Sequence, residues 1–259
     1  MPALICMIQL LNPLTFSSVI TDKMKYLLLK SITGSILLAG IYSCNAGRSK
    51  AVYPSASSDS IQTINTTNTE KGQSLLHNGD LITRSDDDFE SLSLQNFSKK
   101  DRTYSHSGMA FNEDNKWFIY HCIAGQENSG GHIKRELFNS FINPVKKTGF
   151  GIYRYQLSPT EMIKLHRLYK TYFAEKLPFD KSFNLQSDDS MYCSEIIFKS
   201  LKKVTNNRVI LPHSLITNFK PKATAMRFKS AFFKKFDYVA IDDLYINSFC
   251  SKIFSARFQ

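Results

Sequence analysis

Two strand-like runs separated by a four-residue turn cluster restrict this chain more than any other feature. Residues 117–123 are rich in aromatic and branched side chains and residues 105–112 have strand character, with Glu113-Asp114-Asn115-Lys116 between them. So short a connection makes the pair a hairpin. Further strands are expected after the turn His77-Asn78-Gly79, entering at Asp80-Leu81-Ile82, then over 151–155 and 236–241. Residues 85–100 read as a loop with a short helix, 125–131 as a loop, and 137–142 as a short helix. Ser158-Pro159-Thr160-Glu161 announces a helix: Ser caps, Pro suits the first turn, and Glu completes a capping box. Leu177-Pro178 ends it. A second helix is expected from Cys193, with Ile196, Ile197, Ser200, Leu201 and Val204 on its buried side. Strands and helices mix without a regular βαβ alternation, which predicts an α+β fold with an antiparallel sheet packed against helices.

The first 44 residues read as an address. Lys23, Lys25 and Lys30 precede an apolar run over 31–43, the pattern of a secretory signal. The run is shorter than the about 20 residues of a spanning helix. It ends Ile41-Tyr42-Ser43-Cys44, which resembles a bacterial lipobox, so Cys44 is the expected lipidation site. Signals start near the initiator, so Met24 is the expected start; a longer signal anchor using the apolar stretch 4–14 is the alternative. Residues 45–74, rich in Ser, Thr and Asn early on, read as a flexible tether, with the folded domain over 75–259. The expected location is therefore the bacterial cell envelope, as a membrane-anchored lipoprotein.

Net charge is +11, and residues 199–259 hold 12 Lys or Arg against 3 Asp or Glu. No zinc-finger, helix-turn-helix or RNA-binding signature accompanies that charge, so it reads as a solvated face and no nucleic-acid partner is expected.

Beyond the leader three cysteines remain, Cys122, Cys193 and Cys250, so at least one thiol stays free. Cys193 follows the polar stretch 186–190 and opens a helix, where positive potential favours a thiolate and unpaired N–H groups can hold an oxyanion. His106 lies on a strand with the small Gly108 on its own side, Ser107 and Met109 facing the other way. His121 on the partner strand can come beside His106 and orient it, as the third member of a triad does. Cys122 then faces the core and reads as structural. Tyr104 and Tyr192 are candidate substrate-binding walls, with core packing equally open to each. No close metal-ligand pair is present, so neither metal nor other cofactor is expected.

Four segments carry a family resemblance: Asn78-Gly79-Asp80-Leu81-Ile82-Thr83-Arg84, Tyr104-Ser105-His106-Ser107-Gly108, Ile119-Tyr120-His121 and Met191-Tyr192-Cys193-Ser194-Glu195. In that order they resemble the permuted NlpC/P60 superfamily, in its YiiX/YebB-like cysteine hydrolase branch, over about 75–204. The resemblance implies a circularly permuted papain-like fold with His106, His121 and Cys193 as the catalytic set. Several relatives have an acid at the third position; a His there resembles the lecithin:retinol acyltransferase-like relatives.

The resulting expectation is an exported cysteine hydrolase. It would cleave amide bonds of a peptide, such as a peptidoglycan stem peptide, through a thioester on Cys193. A lipid-directed acyl hydrolase or acyltransferase is the first alternative, and a non-catalytic envelope binding lipoprotein on the same scaffold the second. The expected partners are thus a peptide or acyl substrate and, through the lipid, the membrane.

Overall fold

The computed structural model describes residues 57–86, 95–125, 131–217 and 235–259. The expected signal and Cys44 lie outside the described residues. The domain begins earlier than the sequence suggests, because residues expected to be tether form helix α1 (Ser58–Ser74). Ser57 caps it by accepting the Ser60 N–H at 3.3 Å. Its polar residues give almost no apolar stripe, so periodicity misses it. It is held by close approach: a Cβ on Gly72 would lie 2.7 Å from the Phe150 ring.

Strand β1 (Asp80–Ser85) is followed by β2 (His106–Glu113) and β3 (Lys116–Ile123). Asp114 and Asn115 both take positive φ (51° and 61°), the two-residue turn whose twist suits a hairpin. Then come β4 (His132–Leu137), α2 (Phe138–Ile142), β5 (Gly149–Tyr155), α3 (Pro159–Ala174) and α4 (Cys193–Val204). The chain closes with β6 (Ser214–Thr217), β7 (Lys235–Tyr238), a 3-10 turn (Asp242–Leu244) and β8 (Cys250–Arg257). Six strands form one sheet in the order β4-β3-β2-β1-β5-β8, and every neighbouring pair is antiparallel. β6 and β7 form a separate two-stranded antiparallel sheet. Strands β4 and β8 complete the sheet at its two edges; their broken apolar pattern hid them from the sequence reading.

The sheet has two covered faces. Leu81, Met109, Phe111, Tyr120, Cys122 and Tyr153 point toward Ile196, Ile197 and Leu201 of α4. Ile82, Ala110, Ile119, Phe150 and Ile152 point the other way, toward Phe138, Phe141 and Ile142 of α2. This alternation of neighbours along each strand fixes the register, since a one-residue slip would exchange the faces. Among the described residues no helix is long and apolar enough to cross a membrane.

Candidate functional site

The pleat of β2 sorts the site. His106, Gly108 and Ala110 share the α2 face; Ser107, Met109 and Phe111 share the α4 face. On β3, Ile119 pairs with Ala110, so His121 falls opposite Gly108 and on the side of His106. Gly108 leaves room for this: a Cβ there would stand 3.0 Å from the His121 Cβ. The two rings meet edge to face, with His106 Nε2 2.8 Å from His121 Nδ1. Both pack on Phe141.

A carboxylate continues the chain. Glu136 Oε2 lies 3.5 Å from His121 Nε2, an ion-pair distance and not a formed hydrogen bond, and His121 Nε2 has no other partner. β4 places it there, because Glu136 pairs with Ile119 and its side chain shares the face of His121. The approach of His121 holds the Glu136 carboxyl down at about 2. An ionised carboxylate only accepts, so its charge at this distance favours the His121 tautomer with the proton on Nε2. His121 Nδ1 then accepts from His106 Nε2–H, and His106 keeps a lone pair on Nδ1. That is the atom able to take a proton.

Cys193 is the first residue of α4 and is buried on the opposite face of the sheet. Burial pushes its thiol up to about 11, while the Ser194 N–H and the hydroxyl and N–H of Ser107 pull it back. The Ser107 hydroxyl is buried and makes no hydrogen bond among the described residues. Burial, then Arg84, His121 and Lys147, hold His106 well below its ordinary range. Thiol and imidazole are thus both neutral at rest. Among the described residues no hydrogen bond joins Cys193 to His106. The structure joins His106 with His121 and sets the thiol against Ser107, the next residue along β2.

Arg84 is the charged neighbour of both. It is the Cα partner of His106 on β1 and is buried. Its guanidinium donates to the Phe141 carbonyl at 2.9 Å, lies over the Phe141 ring, and faces Asp86 at 3.4 Å. Lys147 also pairs with Asp86.

The entry to α4 is fastened separately. Glu195 accepts the Tyr192 N–H at 3.1 Å, and Lys199 reaches Glu195 and Asp188, both at 2.8 Å, and the Ser187 carbonyl at 2.5 Å. Burial raises the Glu195 carboxyl to about 7 despite the Lys199 ammonium.

Tyr192, expected as a possible pocket wall, is instead core. It is 1% exposed, stacks on Tyr238, and accepts the Val239 N–H at 2.9 Å. Tyr104 lines a cleft of about 690 Å³. Cys122 is fully buried on the face of Cys193, so it is core, as its alternation with His121 requires. The sequence reading missed Glu136, Ser107 and Arg84. Alternation along β2 gave away Ser107's direction, but β4 was not recognised, and without it Glu136 has no place.

The chain matches no family model and no curated protein. It is similar in structure to YiiX of Escherichia coli O157:H7, described as a metalloprotein of DUF1105, at 18% identity and a TM-score of 0.53. The similarity covers 70% of this chain and 97% of that one. Among the described residues of this chain, no group of three His, Cys, Asp or Glu side chains is arranged to hold a metal ion. The facing nitrogens of His106 and His121 are already committed to one another. The likeness shows the fold: this chain has a YiiX-like α+β architecture, an antiparallel sheet packed against helices.

Proposed function

We propose that the protein is a cysteine hydrolase that cleaves amide bonds through a thioester on Cys193, with His106 as base and His121 and Glu136 orienting it. The observation that carries this reading is the buried His106–His121 pair with the half-buried Glu136 carboxylate 3.5 Å behind it, on a strand whose next residue, Ser107, faces a helix-start thiol. Such a set has no packing role that apolar residues would not fill better; its chemistry is to favour one tautomer.

In the reaction His106 Nδ1 takes the thiol proton as Sγ attacks the substrate carbonyl carbon. The resting structure holds no Cys193–His106 hydrogen bond, so this reading requires the sulfur and His106 to come within hydrogen-bond reach past the start of β2 in the substrate complex. N–H groups of the first turn of α4 receive the oxyanion, worth about 3–4 kcal/mol for one such donor. His106 then protonates the departing amine. Water, deprotonated by His106, resolves the thioester and frees the thiol. Lipid on Cys44 would hold the enzyme on the outer side of a membrane; the motif Ile41-Tyr42-Ser43-Cys44 supports that placement.

The test is acyl-enzyme trapping. Incubated with a peptide p-nitrophenyl ester and digested, the protein is expected to carry the acyl mass on Cys193, and His106→Ala to lose it. Acyl mass on Cys122 or Cys250 instead, or none on any cysteine, would overturn the reading.

A further inference from the structure

A cleft of about 690 Å³ lies between β8 and the segment 95–104. Cys193, His106, His121 and Ser107 do not line it. Tyr104 closes its floor: the ring is buried, and a Cβ on Gly151 would lie 2.7 Å from its hydroxyl. The cleft is thus separate from the residues assigned to chemistry.

A defect in the sheet aims one wall. Ile152 of β5 pairs with Phe254 of β8, but Tyr153 pairs with Lys252, so Ile253 is an extra residue. Side chains alternate along a strand, so without this bulge Lys252 and Arg257, five positions apart, would face opposite ways. With it, Lys252, Ser255 and Arg257 stand opposite Tyr153, Gly151 and Gly149, all on one face. Ile253 joins Phe254 on the other face, in the cluster of α2.

The facing wall is held from behind. Asp242 Oδ2 accepts the N–H groups of Lys99, Lys100 and Asp101 at 2.9, 2.7 and 3.3 Å. Arg102 Nε donates to the Ser98 carbonyl at 3.2 Å. A wall fixed in this way needs no ordering when a ligand arrives.

The charges lining the cleft do not balance. Asp86 is paired with Arg84 and Lys147, which stand outside it. Asp101 gives one oxygen to the N–H and hydroxyl of Thr103 and acts on Lys252 from beyond ion-pair distance. Arg102, Lys252 and Arg257 have no carboxylate at ion-pair distance among the described residues. Three cations thus face one carboxylate that no cation pairs with. Lys252 and Arg257 are four strand steps apart once the bulge is discounted, about 13 Å. A compact anion meets only one of them; an elongated ligand with a negative group at each end meets both.

We propose that this cleft binds a small elongated dianion, with one acidic group at Lys252 and the other at Arg257. The site stands apart from the thiol and does not rest on the hydrolase reading.

The experiment compares two-ended with one-ended probes. Octanedioate, its monomethyl ester, hexane-1,6-diol bisphosphate and the matching monophosphate are titrated into the full-length protein and followed by amide-resolved NMR. Each two-ended probe is expected to bind about fivefold tighter than its one-ended partner, with shifts centred on β8 and residues 95–104. Lys252→Gln and Arg257→Gln are each expected to remove that margin; both side chains are exposed, so neither substitution disturbs the core. Cys193→Ala is expected to bind as wild type does. The tighter of the two-ended probes identifies the acidic group as carboxylate or phosphate. Equal affinity within each pair, a margin kept by either cation variant, binding lost in Cys193→Ala, or shifts centred on α4 would overturn the proposal.

Discussion

Compare the two faces of the sheet where they meet at the start of β2. The α2 face holds two imidazoles, a guanidinium and a carboxylate, linked from His106 to Glu136. The α4 face holds the Cys193 thiol, two hydrogen-bonding residues and an apolar wall. One backbone step, His106 to Ser107, separates them. The polar face is organised before any substrate arrives: its proton positions follow from the acceptor-only carboxylate. The sulfur face is insulated, and its thiol rests unionised. The difference teaches that the base is prepared by wiring and the nucleophile by exclusion of water, so activation is a matter of bringing one to the other.

The largest test of that contrast is on the sulfur. A thiol at about 11 yields thiolate about tenfold per pH unit, so iodoacetamide alkylation of Cys193 should climb roughly a thousandfold from pH 7 to 10. Peptide mapping by mass spectrometry reads it. A flat profile would mean a resting thiolate–imidazolium pair and would erase the distinction between faces.

Next in size is Glu136→Gln, which lets His121 take the other tautomer and turns the lone pair of His106 away. Ester turnover should fall about 100-fold while iodoacetamide alkylation of Cys193 stays unchanged. A parallel fall in alkylation would show that the faces are not separable.

The smallest concerns Glu195, under the sulfur. Its carboxyl rises from 4.5 to about 7 on folding. It therefore contributes stability fully below pH 4.5, and that contribution is lost as pH climbs through about 7. Against Glu195→Gln, the wild type should lose about 3 kcal/mol between pH 4.5 and 8, read from urea unfolding of both proteins. A pH-independent difference would mean that Lys199 keeps the carboxylate charged throughout.

Much of this organisation was legible in the residues. The hairpin announced itself through its turn, α3 through its capping box, and the pairing of His106 with His121 through strand alternation. Three things were not legible. Helix α1 lacks an apolar stripe and depends on contacts with distant strands. β4 and β8 carry mixed polar patterns because each is a sheet edge. Glu136 gains meaning only from its register on β4, so a local pattern of residues could not identify it. The position of the thiol relative to the imidazole was not legible either, because it depends on the pleat of β2, which sends His106 and Ser107 to opposite sides, and on how α4 packs against it.

The last residue has a consequence of another kind. Asn65 of α1 and the backbone of Gln259 exchange two hydrogen bonds, at 3.2 and 3.3 Å. Beginning and end of the domain are thus already sewn together. A chain cut in a surface turn such as Asp114-Asn115 and rejoined by a short linker from Gln259 to Ser57 would close only a small loop, at little entropic cost. The order of elements along the polypeptide is thus a convention of where the chain happens to be open, and the three-dimensional arrangement would survive its rewriting.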